Sequence, residues 1–160
     1  MLSTISLIYD PLGLIAPFLL HGKRILQAIG KDGVHWEEVP DHLGMQWIKR
    51  REELRVLARL KALRCYKPND FGEVHNFSDA ITLAYGQCLY LRMKNSQDKI
   101  HCALVKEKSR VTLSKLITVP RRELTAALLS VKVSAFLQKE LQYGTTPKVF
   151  LTGSELVRGS

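Results

Sequence analysis

The sequence has few cysteines and no long apolar run, and each shortage excludes a class of protein. Its 160 residues include three cysteines, an odd number without a closely spaced pair, so neither a disulfide framework nor a zinc site is expected. No run reaches the roughly 18 uncharged apolar residues that a membrane span needs. The apolar start has no basic residue and is interrupted by Asp10 and Pro11, so we expect no signal peptide. The expected location is cytoplasmic or nuclear, with no membrane partner.

Acidic residues are also scarce relative to basic ones. Asp and Glu number 15 against 24 Lys and Arg, which gives a formal net charge of +9. The excess is concentrated in residues 46–67 and 94–122, each of which contains eight basic and two acidic residues. Such a positive field attracts polyanions, and nucleic acid is the first candidate. The alternative interpretation is a solvated helix face and exposed hairpin loops.

The composition, 46% hydrophobic and 24% charged, is that of a globular chain, and the length suffices for one ordinary domain or for a small domain with an appended segment. The helices and strands that the sequence predicts make the expected fold class α+β. Apolar residues at helical spacing predict an amphipathic helix from about Leu14 to Ala28, and Asp41 is a suitable cap for a second helix. Pro68, Asn69, Asp70 and Gly72 form the clearest linker. We therefore predict a helical segment over residues 1–68 and a separate domain over residues 72–160.

Strand-forming residues follow the linker. Residues 74–77 and 88–91 predict a hairpin with Asp79 near its bend, and residues 100–106 predict a third strand, which together make an antiparallel meander. Residues 107–119 are basic with little periodicity. Pro120 then suits the start of a helix, and Lys148–Thr152 predicts a short buried fourth strand.

The apolar residues of that helix recur at steps of four, three and four residues, which predicts a core-facing stripe formed by Leu124, Leu128, Val131 and Ala135.

Two carboxylates have ordinary structural explanations. An aspartate near a bend, such as Asp79, commonly accepts backbone N–H bonds and caps the turn. A glutamate near the start of a helix, such as Glu123, stabilises the positive end of the helix dipole by roughly 0.3–1 kcal/mol. Residue type and spacing alone favour these roles over catalysis.

Three blocks of sequence change that weighting. Phe77-Ser78-Asp79-Ala80 followed by Ala84-Tyr85-Gly86 resembles the start of the ribonuclease H domain in BEL/Pao-type retrotransposon polyproteins. The block Tyr9–Pro17 resembles the segment that leads out of their reverse transcriptase, and Val119–Leu128 resembles their first ribonuclease H helix. The blocks occur in the family's order and span nearly the whole chain, so the sequence resembles the Pao retrotransposon peptidase family region.

The resemblance implies a helical connector after the reverse transcriptase, residues 1–68, and a truncated ribonuclease H-like domain, residues 72–160, with three antiparallel strands, a helix and a fourth strand. It implies activity on the RNA strand of RNA/DNA hybrids, with Asp79 and Glu123 as catalytic residues and ligands of Mg²⁺. It places nucleic-acid contacts on five basic residues: Lys106, Lys108, Arg110, Arg121 and Arg122. The family pattern Thr-Asp-Ser corresponds to Thr152-Gly153-Ser154 here, so Gly153 replaces a metal-binding aspartate and the resemblance predicts an inactive ribonuclease H relative.

Two alternatives remain open beside that prediction. The first is that the chain is a nucleic-acid-binding remnant without catalysis. The second is that the region belongs to a retroelement aspartic peptidase. Leu151-Thr152-Gly153-Ser154 superficially resembles the peptidase loop Asp-Thr-Gly-Ser, but Leu151 stands where the essential aspartate is required. A truncated domain also leaves apolar surface uncovered, which predicts self-association.

Overall fold

The structure, a computed structural model, describes residues 2–31, 39–57, 59, 61, 71–112, 117–141 and 146–153. The chain divides into two compact units, residues 1–62 and 63–160. The predicted linker residues Pro68, Asn69 and Asp70 lie outside the described residues, whereas Gly72 lies within a strand. The assignment of residues 1–68 to a connector and of residues 72–160 to a partial ribonuclease H-like domain stays a prediction.

The first unit contains three helices, α1 (Leu2–Leu7), α2 (Ala16–Lys31) and α3 (Asp41–Leu57). Asp10 lies between α1 and α2 and orders the approach to α2, because its carboxylate accepts the backbone N–H groups of Gly13, Leu14 and Ile15 at 2.9–3.0 Å. Gly13 has a φ of 83°, a left-handed conformation that glycine adopts without a steric penalty.

A small core joins α2 to α3. Ile25 and Ile29 of α2 pack with Leu43 of α3, and all three are buried. Gly22 of α2 lies close to both other helices, since a Cβ on this residue would be 2.7 Å from the Ile5 side chain of α1 and 3.6 Å from the Trp47 ring of α3. The opposite side of α3 carries exposed basic residues, as the sequence predicts.

The second unit contains β1 (Phe71–Ile81), β2 (Ala84–Lys94), β3 (Ile100–Val111), α4 (Val119–Leu141) and β4 (Lys148–Thr152). The strands form one sheet in the order β3-β2-β1-β4, in which the first three are antiparallel and β4 lies parallel to β1. The predicted meander, helix and fourth strand are confirmed, and the fold is α+β. Their order agrees with a ribonuclease H-like domain.

Two strand predictions need correction. The third strand continues to Val111 instead of ending at Lys106, because alternating side chains keep pairing with β2 across a bulge beside Leu89. The fourth strand is not buried: Lys148–Leu151 are exposed, because among the described strands β4 pairs only with β1 and α4 lies over β1 and β2.

The prediction for the core face of α4 is wrong. Leu124, Leu128 and Val131 are 60%, 51% and 50% exposed, and Ala135 is exposed as well. The helix instead turns a narrow face of mostly small residues to the sheet, formed by Arg122, Ala126, Ser130, Ser134 and Leu137. Small side chains allow a helix backbone to approach a sheet closely, and only Leu137 joins the apolar cluster of Val74, Leu89 and Val105.

The layer between α4 and the sheet is unusually polar. Asn76 and Gln87 of the sheet and Ser130 and Ser134 of the helix are all at least 97% buried. Asn76 donates to the Val149 carbonyl at 3.3 Å, but the Gln87 amide and both serine hydroxyls have no protein partner among the described residues. Buried polar groups without partners cost free energy, so this layer weakens the attachment of α4 to the sheet.

Candidate functional site

The candidate site begins with Asp79, which lies two residues before the end of β1. Asp79 pairs with Gly86 across the hairpin, whose turn is formed by Thr82 and Leu83. Successive residues of a strand face opposite sides of the sheet, and Ser78 and Ala80 are buried on the side of α4, so Asp79 is exposed on the other side. Its Oδ1 accepts the Ala80 N–H at 2.8 Å. This local bond occupies one oxygen of the carboxylate, and it lies within β1 instead of capping the turn at Thr82 and Leu83.

Gly153 lies directly beside Asp79. β4 runs parallel to β1 up to the pair Ser78 and Thr152, and the Gly153 N–H then donates to the Ser78 carbonyl at 3.4 Å. A Cβ on Gly153 would lie 2.9 Å from Asp79 Oδ1 and 3.6 Å from its Cγ. Any side chain at position 153 would therefore contact the Asp79 carboxylate. Because this chain has glycine there, the space beside the carboxylate is left open.

Asp79 and Gly153 line an open cleft of about 590 Å³ on the sheet face opposite α4. The wall of this cleft is partly aromatic: the rings of Phe77 and Tyr90 pack edge to face with centroids 6.0 Å apart. Aromatic faces of this kind can stack on apolar or planar ligand groups. Among the residues that the structure describes, the charged members of the lining are two acids, Asp79 and Glu107.

Glu107 and its neighbours were missed by the sequence reasoning. Glu107 pairs with Cys88 across β2 and β3, so both side chains reach the cleft. Burial, followed by the nearby Glu107 carboxylate, raises the pKa of the Cys88 thiol, and burial is also the main cause of the raised pKa of Tyr90. Extending the alternation of the third strand past Lys106 is the signal that would have placed Glu107 opposite Cys88.

Glu123 occupies a different position from the cleft. It is the fifth residue of α4, just beyond the first helical turn, which contains no acid. Its side chain is half-buried and is not part of the cleft lining. The helix-dipole interpretation is weakened at this position, since that effect falls off within the first turn.

The residues present do not fit a pair of Mg²⁺ ions. Two-metal cleavage needs several carboxylates that converge on both ions. No group of three or more His, Cys, Asp or Glu side chains able to hold a metal occurs among the residues that the structure describes. Position 153, which faces Asp79, has no side chain, and Glu155 lies outside the described residues.

The five predicted basic contacts fall into two environments. Lys106, Lys108 and Arg110 alternate along β3 on one face of the strand, and Lys108 and Arg110 are exposed. Arg121 is exposed on α4, whereas Arg122 is only 9% exposed and lies against the sheet. Lys106, Lys108 and Arg110 lie on the sheet face that α4 packs against, because Glu107 lies on the cleft side and successive side chains of a strand alternate between the two faces.

The comparisons with known proteins assign this arrangement to a family. A family model described as the Pao retrotransposon-like RNaseH-like domain matches residues 1–154, nearly the whole chain. The chain belongs to this family. The Pao match includes the helical unit as well as the sheet and α4. A search of the curated proteins finds no match to the chain.

Membership of the Pao family confirms the resemblance drawn from the three sequence blocks and agrees with the α+β fold. Ribonuclease H-like domains generally use divalent metal ions and act on nucleic acid. In the described part of this Pao chain, no helix is long and apolar enough to span a membrane.

Proposed function

We propose that this chain is a nucleic-acid-binding, ribonuclease H-like module of a Pao-type retrotransposon polyprotein, with a degenerate cleavage site. The observation that carries this proposal is the place of Gly153. It lies where a side chain would touch the Asp79 carboxylate, at the junction of the two parallel strands. A second carboxylate there would complete a pair suited to a hard cation, and glycine removes it.

Of the carboxylates that the resemblance assigns to the cleavage site, this chain retains Asp79 and Glu123. Mg²⁺ keeps part of its hydration shell, so one or two carboxylates can still bind it weakly through water. Holding two ions and a phosphodiester in productive geometry is far more demanding, since a misplacement of about 1 Å can cost on the order of 100-fold in rate. We therefore propose weak Mg²⁺ binding at Asp79 without hydrolysis of the RNA strand.

The proposed binding surface consists of three exposed basic residues, Lys108, Arg110 and Arg121. Lys108 and Arg110 stand two residues apart on β3, a spacing of about 7 Å, and phosphates along one strand of a duplex are separated by a comparable distance. Lys108 and Arg110 lie on the sheet face opposite Asp79 and Glu107, the two acids of the cleft. The surface suits the phosphate backbone of an RNA/DNA hybrid, and Lys106 and Arg122 contribute from less exposed positions.

A salt titration tests this proposal. The affinity for a labelled RNA/DNA hybrid, measured by fluorescence anisotropy between 50 and 200 mM NaCl, should fall steeply, with log affinity changing by about −0.9 per neutralised phosphate for each decade of salt. If Lys108 and Arg110 each contact one phosphate, the double variant Lys108→Gln/Arg110→Gln should reduce the slope of log affinity against log salt concentration by roughly 1.8.

Lys99→Gln is the matched control, because Lys99 is exposed in the turn at the other end of β3. Its salt slope should equal that of the wild type. A slope near zero for the wild type, or equal losses in the control and the double variant, would contradict the assigned surface.

Three further expectations accompany this function. We propose that residues 1–68 connect the domain to a reverse transcriptase, and that the protein works in the cytoplasm or nucleus. Self-association through uncovered apolar surface stays a prediction, for which Phe77 and Leu151 on the open sheet face are candidates at 39% and 40% exposure. Sedimentation of the purified wild type against a Phe77→Asp variant tests it.

A further inference from the structure

The contact between α2 and α3 is apolar at one end and polar at the other. At the apolar end, Ile25 and Ile29 of α2 pack with Leu43 of α3. His21 precedes Ile25 by one helical turn, and Arg50 follows Leu43 by two turns, so both lie on the faces that meet. At this polar end, Nη2 of Arg50 lies 3.5 Å from Nε2 of His21.

The guanidinium of Arg50 selects the protonation state of the His21 ring. A guanidinium has donors and no acceptor, so the ring nitrogen that faces it accepts the hydrogen bond and the imidazole is neutral. Nη1 of the same guanidinium pairs with the carboxylate of Glu53 on α3, which fixes its orientation. A proton on Nε2 would remove the acceptor and place a second cation against Arg50.

The surroundings of His21 disfavour its protonated form. Burial, followed by the positive charges of Arg50 on α3 and Arg24 on α2, lowers the pKa of His21 below its ordinary value of 6.5, and the Glu53 carboxylate acts in the opposite direction. Glu53 is already engaged by Arg50. The other helix that packs on α2, α1, has no charged residue, and the Asp10 carboxylate accepts three backbone N–H groups ahead of α2.

We propose that His21 is a pH-sensitive switch in the helical unit: its neutral ring joins α2 to α3 through Arg50, and protonation releases this contact. Because the folded unit favours the neutral ring, the unfolded chain binds the proton more readily. The contribution of the contact to stability is therefore present above about pH 6.5 and is lost as the pH falls through the lowered folded-state pKa. Release exposes the apolar cluster of the two helices. The inference does not depend on nucleic-acid binding, which is assigned to the other unit.

Trp47 provides a fluorescent reporter for this contact in the full chain. Its ring is buried on α3, beside Gly22 of α2, and Trp36→Phe makes it the only tryptophan. In this background, urea unfolding followed by tryptophan fluorescence gives the folding equilibrium constant of the helical unit. We expect this constant to be highest at pH 7.5 and to fall at least about twofold by pH 5.0, a range in which carboxylates of ordinary pKa stay mostly ionised.

Three variants in the same background assign the pH dependence to one ring. His21→Gln keeps an amide oxygen that accepts from Arg50 but does not titrate, so the fall should disappear. His42→Gln, which changes an exposed histidine of α3, is the matched control and should keep the full fall. Arg24→Gln removes a repelling cation and leaves the His21–Arg50 contact in place, so the fall should become smaller.

The Arg24→Gln variant keeps the test decisive even where His21→Gln impairs folding. An equilibrium constant that does not change between pH 7.5 and 5.0, an equal fall in His21→Gln, loss of the fall in His42→Gln, or an undiminished fall in Arg24→Gln would each overturn the proposal.

Discussion

Replacing Gly153 by aspartate would recreate a carboxylate pair, and the structure allows the consequence to be estimated. A Cβ at this position lies 2.9 Å from Asp79 Oδ1, so the new carboxylate would sit about 4 Å from the existing one. Two like charges at about 4 Å repel by roughly 1 kcal/mol in water and about 4 kcal/mol at the effective dielectric of a protein surface. Asp79 is exposed, so a value between these limits is expected.

Gly153→Asn is the matched control, since it introduces the same steric contact without the charge. In metal-free buffer at pH 7, Gly153→Asp should therefore be less stable than Gly153→Asn by about 1–4 kcal/mol, which lowers the midpoint of thermal unfolding by at least about 4 °C for a unit of this size. Circular dichroism at 222 nm provides the measurement.

Magnesium should reduce the difference. If the restored pair binds Mg²⁺ with a Kd near 1 mM, then 10 mM MgCl2 stabilises the aspartate variant by about 1.4 kcal/mol, while the asparagine variant and the wild type gain much less. Equal stability of the two variants without metal, combined with no selective effect of MgCl2, would refute the conclusion that position 153 faces Asp79.

Three smaller changes test other parts of the account. Ser134→Ala should raise the urea midpoint, because it removes a buried hydroxyl without a described protein partner, a cost of about 1–3 kcal/mol; a lower midpoint would show that the hydroxyl is satisfied. The hydrogen bond from His75 lowers the pKa of Glu73, so the contribution of this hydrogen bond to stability is complete above roughly pH 4.5 and is lost as the pH falls through the lowered folded-state pKa. The free energies of unfolding of the wild type and of Glu73→Gln, measured between pH 6 and 3, should therefore converge at the acid end. Iodoacetamide should modify exposed Cys102 faster than Cys88, whose pKa is raised by burial, and peptide mass spectrometry at pH 7.5 would show the reverse order if the cleft assignment were wrong.

The meander and the existence of the fourth strand were accessible from the sequence, but the packing of α4 was not. The hairpin and the fourth strand each carry local signals, namely strand-forming residues bounded by turn residues, and the chain reversal at each turn limits the possible pairings. Leu124, Leu128 and Val131 give an equally clear local signal for a buried stripe, yet they are exposed. Periodicity identifies an apolar face, but it does not identify what covers that face.

The candidate site shows the same distinction. Asp79 and Gly153 were singled out by resemblance, and the parallel register of β1 and β4 brings them together. Glu107 was missed because β3 was predicted to end one residue before it, so its cross-strand neighbour Cys88 was not considered. The burial of Arg122 was also missed, since a charged residue in a basic segment is expected to be exposed.

The central claim is that the module binds nucleic acid without cutting it. The most direct test incubates a labelled RNA/DNA hybrid with the purified wild type and with Asp79→Asn, in Mg²⁺ or Mn²⁺, while binding of the same hybrid is followed in parallel. The account predicts salt-sensitive binding by both proteins and no cleavage by either. Metal-dependent hydrolysis of the RNA strand by the wild type, lost in Asp79→Asn, would contradict it and would show that the site functions despite Gly153.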